Sequence, residues 1–196
     1  MFALILGTAG FLLFLLYDIN SYTINHTLLR TCFAAGVIMI GISTVVLCHK
    51  ACKLNAFSGI GDWLLLLMSA LSLGAMIYCL FFALPFQDTY TNPYNGRCTY
   101  TYGVYAACRH PGVICFFAMY LFLGIAALPT GLLPVGMWFS ALNCGYAWFQ
   151  DRITFSKTFC DYDTYRKEVP FMLPTKTSIR QAIETWGNPY KKEVEL

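Results

Sequence analysis

Residues 109–152 read RHPGVICFFAMYLFLGIAALPTGLLPVGMWFSALNCGYAWFQDR. From His110 to Gln150 the stretch carries no Asp, Glu, Lys or Arg over 41 residues, and Pro129-Thr130-Gly131 interrupts it near the middle. A bilayer hydrocarbon core of ~30 Å takes ~20 helical residues at ~1.5 Å each. The stretch therefore predicts two crossings, 111–128 and 132–149, joined at a Pro-Gly breaker. Such a hairpin returns the chain to the membrane face it left. Arg109 and His110, before the first limb, are then expected near Gln150 and Asp151, after the second.

Three more charge-free runs lie upstream, at 1–17, 31–49 and 63–87. Each fits one crossing, which predicts spans near 1–17, 28–48 and 63–84 and about five transmembrane helices in all. The composition agrees. Hydrophobic residues make up 58% of the 196 and charged residues 12%, about half the roughly 25% charge of a soluble domain. Nucleic acid is not an expected partner, because the formal net charge is only +3 and its carriers form no basic stripe. An aromatic content of 17% excludes disorder. No segment shows the alternation of a membrane β-barrel. The first run lacks a basic leader and a small-residue cleavage site, so it reads as a retained helix.

The predicted fold is all-α, a single membrane domain in two parts. Residues 1–87 supply three helices; residues 88–196 supply a motif loop, the hairpin 111–149 and a short helical C-terminal tail packed at the cytoplasmic face. Lys and Arg set the orientation. A cytoplasmic C-terminus puts Arg30, Arg97, Arg109, Arg152, Lys157, Arg166 and Lys167 inside and leaves Lys50 and Lys53 outside. The sequence thus predicts a multi-pass protein of a bacterial plasma membrane or an endoplasmic reticulum membrane.

The tail has local order. Tyr162 and Tyr165 share a helical face, Val169-Pro170 and Pro174 end that helix, and Ser178 with Gln181 suggests a capping box for a last amphipathic helix. Ile179, Ala182, Ile183 and Trp186 line that helix at helical spacing, and Gly187-Asn188-Pro189 stops it. Of the nine cysteines, Cys48 and Cys52 flank His49, one ligand short of a closed zinc site. No metal is expected.

The chemistry concentrates at the ends of the hairpin. Pro111 suits a first helical turn. The open backbone donors of that turn, with Arg109 beside them, favour an anion such as a carboxylate or phosphate. Asp151 suits hydroxyls or a cationic amine, and His110 is the group able to orient a substrate or move a proton near neutral pH.

Gly103-x-Tyr105-x-x-x-Arg109-His110-Pro111 resembles the signature of the isoprenylcysteine carboxyl methyltransferase and phospholipid methyltransferase family of integral membrane enzymes. That family follows the motif with a helical hairpin, a Glu-Glu pair, a Tyr-x-x-Tyr step and a Val-Pro ending. Here the corresponding positions are Gln150-Asp151, Tyr162-x-x-Tyr165 and Val169-Pro170, then Pro174. The likeness covers about the last half of the chain, with Gln150 in place of the first acid. It implies S-adenosylmethionine as methyl donor, and as acceptor a lipophilic small molecule or a lipidated group drawn from the bilayer. It further implies cofactor contacts from Tyr105, Arg109, His110, Pro111, Gln150, Asp151, Tyr162 and Tyr165, with His110, Arg109 and Arg166 assigned to the chemical step. Two alternatives stay open: a nicotinamide-dependent reductase of the membrane sterol and steroid type, and a non-catalytic membrane protein that keeps the fold.

Overall fold

A computed structural model describes residues 1–84 and 98–186, and the described residues are predominantly helical, with no strand among them. In chain order the helices are α1 (Phe2–Tyr22), α2 (Thr31–Lys53), α3 (Ile60–Ile77), α4 (Val104–Ala107), α5 (Pro111–Ala126), α6 (Leu132–Phe149), α7 (Phe155–Thr158), α8 (Tyr162–Glu168) and α9 (Lys176–Thr185). Short 3₁₀ turns at Thr27–Arg30 and Leu128–Thr130 precede α2 and α6, and π-helical turns at Tyr78–Phe82 and Gln150–Thr154 extend α3 and α6.

Among the described residues, three helices are long and apolar enough to cross a membrane: Phe2–Tyr22, Thr27–Lys53 and Ile60–Phe82. Their large side chains are widely exposed, among them Ile5, Leu12, Val45, Leu64 and Leu71. A water-facing surface does not tolerate such continuous apolar cover, and the chain fits a membrane protein. α5 is a shorter apolar helix. The limbs of the predicted hairpin appear at Pro111–Ala126 and Leu132–Phe149, and Gly131, at a left-handed φ of 79°, turns the chain between them.

The first helix runs to Tyr22 instead of ending near Tyr17, because the Asp18 carboxylate is buried and hydrogen-bonded to Tyr146 and Gln150 instead of marking the end of the span. The last helix starts with a different cap from the expected one. Thr175 and Ser178 form the capping box: the Thr175 hydroxyl accepts from the Ser178 N–H at 3.2 Å, and the Ser178 hydroxyl accepts from the Thr175 N–H at 2.9 Å. Gln181 lies a full turn further in. The 88–97 part of the motif loop, with Arg97, and the Gly187-Asn188-Pro189 stop lie outside the described residues.

The chain divides into two compact units, Met1–Leu73 with Phe116–Thr154, and Gly74–Cys115 with Phe155–Leu196. In the first, α1 and α2 cross at glycine. A Cβ on Gly36 would stand 2.7 Å from the Gly10 carbonyl, and one on Gly10 would stand 2.8 Å from the Gly36 carbonyl. The close approach brings the Ser43 hydroxyl to the Ala3 carbonyl at 2.7 Å. The buried Phe139 ring of α6 closes over Gly7 of α1. Without a hydrophobic drive between helices in lipid, small residues and hydroxyl bonds of this kind supply the association. Phe11, Phe14, Phe116, Tyr120 and Phe139 form the aromatic interior.

In the second unit, α9 packs on α4, and the Gly103 N–H donates to the Thr185 hydroxyl at 3.0 Å. Tyr162, Tyr165 and Val169 make a buried cluster against Phe155 and Phe159.

Candidate functional site

The second unit holds most of the residues singled out in the sequence. Gly103, at a φ of 57° that favours glycine, turns the chain into the single helical turn of α4. That turn carries Tyr105, whose phenol donates to the Cys79 carbonyl at 2.8 Å. After Ala107 the backbone is extended at Cys108, and the next two residues bond to a distant segment. The Arg109 N–H donates to the Pro170 carbonyl at 3.0 Å and the His110 N–H to the Phe171 carbonyl at 3.2 Å. Pro111, with no N–H to satisfy, then opens α5.

Arg109 grips the end of α8. Its Nη1 donates to the Arg166 carbonyl at 2.8 Å and to the Val169 carbonyl, and its guanidinium lies 5.7 Å from the centre of the Phe171 ring. A helix C-terminus leaves carbonyls unmet and carries partial negative charge, so a cation there is doubly favoured. Tyr165 completes the tie by donating from its phenol to the Tyr105 carbonyl at 2.7 Å. Tyr105, Arg109, His110, Tyr162 and Tyr165 thus belong to one structural piece.

His110 is buried, with its ring stacked on Phe155 at 5.9 Å and edge-on to Phe171 at 5.0 Å. Tyr162 is also buried, against Phe155 and Tyr165. Arg166 contributes its carbonyl to Arg109, while its guanidinium sits 3.8 Å from the exposed Asp163 carboxylate, one turn away. Burial pushes the Cys108 thiol up to about 11, which keeps this neighbour of Arg109 protonated and unreactive.

Gln150 and Asp151 belong to the first unit, in the π-helical turn that follows α6. Turns of this type widen a helix locally and recur at functional sites. Asp151 is buried, and the Gln150 amide donates to the Tyr146 hydroxyl at 2.9 Å. Asp18 of α1 joins them by accepting hydrogen bonds from Tyr146 and Gln150. It is 3% exposed, and one of its carboxylate oxygens has no partner among the described residues. The sequence reading missed Asp18 because it closes a charge-free run and looks like a boundary. An ionisable residue followed by four more helical positions was the available signal.

Phe116 and Tyr146 pack against Phe11 and Phe14 respectively. A shallow apolar groove of about 330 Å³ beside Leu4, Thr8 and Trp138 contains none of the candidate residues. No family model, curated protein or solved structure matches the chain.

Proposed function

We propose that the chain is a multi-pass membrane methyltransferase that takes S-adenosylmethionine as donor and a lipophilic molecule or lipidated group as acceptor. It crosses the bilayer about five times, with its C-terminus in the cytoplasm. One observation carries the reading. The two motifs behind the resemblance, Gly103 to Pro111 and Tyr162 to Pro174, bond to each other through Arg109, His110 and Tyr165. A chance match of short motifs gives no reason for them to fold as one piece.

Methyl transfer from a sulfonium is an in-line displacement with little covalent work for the protein. Its rate depends on positioning, worth up to ~7–11 kcal/mol where reacting atoms are held near attack distance, and on keeping water out. Arg109 fixes the segment that follows it, and the aromatic slot of Phe155 and Phe171 fixes the plane of the His110 ring. On this reading His110 orients the donor or moves a proton. Tyr105, Tyr162 and Tyr165 hold the wall behind it, and Arg166 meets an anionic acceptor. The resemblance further implies that Gln150 and Asp151 bind polar groups of the donor. A second reading, a membrane protein that keeps the fold without the activity, is favoured by the use of Arg109 to cap α8.

The full chain in detergent is titrated with S-adenosylhomocysteine and, separately, with reduced nicotinamide cofactor. Binding of the first, weakened at least tenfold by His110→Ala and by Asp151→Ala alike, is the expected result. Preference for the nicotinamide overturns the reading in favour of a reductase. Failure to bind either favours the non-catalytic protein, and loss in only one of the two variants removes the other residue from the donor contacts. Labelled methyl transfer into a total membrane extract then identifies the acceptor.

A further inference from the structure

We infer that Cys98, Cys160 and Asp161 form an open three-ligand site for a thiophilic divalent cation of the zinc or cadmium type. The Cys98 and Cys160 sulfurs are 3.4 Å apart although 62 residues separate them. One ligand atom from each of these two residues and from Asp161 lies within 4.8 Å of the others. Two sulfurs on one tetrahedral zinc, with bonds of ~2.3 Å, stand about 3.8 Å apart. The pair therefore has to open by only a few tenths of an ångström. Both cysteines are exposed, so the rotation is cheap and the cation has a path in.

Asp161 supplies the observation that separates a metal site from two neighbouring thiols. It is the N-cap of α8, where a carboxylate ordinarily accepts from the first turn of its own helix. No such bond forms. The carboxylate instead reaches the other strand of chain, where its Oδ1 accepts from the Thr99 N–H at 2.8 Å. A backbone donor that orients a carboxylate from behind is the usual support of a metal ligand. A disulfide has no use for that carboxylate, whereas a dication neutralises two thiolates and a carboxylate held together.

Binding replaces two S–H bonds by two metal–sulfur bonds and releases two protons to solvent; the carboxylate coordinates without proton loss, and water fills the fourth position. With three protein ligands the cation is exchangeable. Cys48, His49 and Cys52, the cluster visible in the sequence, do not reach this geometry among the described residues. The inference is independent of the methyltransferase reading, since none of its three residues is assigned to the cofactor or the reaction.

The test uses the full chain, reduced and in detergent. Cadmium is expected to bind one equivalent with a thiolate-to-metal absorption band in the near ultraviolet, and to protect Cys98 and Cys160, but not Cys52, from alkylation. Cys98→Ser and Cys160→Ser abolish the band, Asp161→Asn weakens binding by about tenfold or more, and Cys52→Ser leaves it unchanged. The wild-type protection pattern reads the site even if a variant fails to fold. Protection that falls on Cys48 and Cys52, or a reduced chain that takes up no cadmium and only forms a Cys98–Cys160 disulfide on oxidation, overturns the inference.

Discussion

Arg109 shows how one side chain serves two ends of the sequence. Its Nη1 bonds to carbonyls of Arg166 and Val169 at the end of α8, and hydrogen bonds from a charged donor contribute ~1.5–3 kcal/mol. Arg109→Ala is expected to cost on the order of 2–3 kcal/mol and to raise amide hydrogen exchange across 165–171. Exchange there unchanged from the wild type would show that the grip does not hold α8. The thiol next door gives a reactivity test. Because burial lifts Cys108 from 9.0 to about 11, its thiolate is scarce below that pH. Mass spectrometry after alkylation at pH 8 should find Cys108 unmodified and the exposed Cys52 modified. Neither behaviour was legible in the sequence. The Arg-His-Pro step marks Arg109 as important, but the carbonyls it meets lie 57 and 60 residues away.

At the scale of elements, the sequence read helices well wherever their ends carry a local signal. The expected limb 132–149 and the helix Leu132–Phe149 coincide, because Gly131 and the polar Gln150 bracket it. The first helix was read too short, since counting charges ends a span at any carboxylate, including one whose hydrogen bonds keep it inside. The crossing of α1 and α2 is a tertiary feature with a sharp test. Gly36→Ala puts a methyl 2.7 Å from the Gly10 carbonyl, and the obstacle is backbone. Overpacking of this kind costs ~1–3 kcal/mol, so a clear fall in Tm in detergent is expected. Gly41→Ala on the same helix meets nothing within 4 Å and should leave Tm unchanged or slightly higher, given the better helix propensity of alanine.

For the whole molecule, the excess of Lys and Arg predicts which face each loop occupies. A membrane-impermeant maleimide applied to intact cells should label Cys52, beside Lys50 and Lys53, and should reach Cys160 only after the membrane is opened. Labelling of Cys160 in intact cells would invert the proposed orientation. The apolar, helical character of the chain and the breaks between its long helices were set by the sequence alone, because hydrophobic length and turn chemistry are local properties, readable within about twenty residues. Which polar groups meet was decided only by the tertiary structure. Asp18 finds Gln150, Arg109 finds the end of α8, and Cys98 finds Cys160. Each of these groups bonds to whatever donor or acceptor the packed helices leave facing it. That choice depends on how the helices cross and where their ends fall, and no spacing along the chain records it.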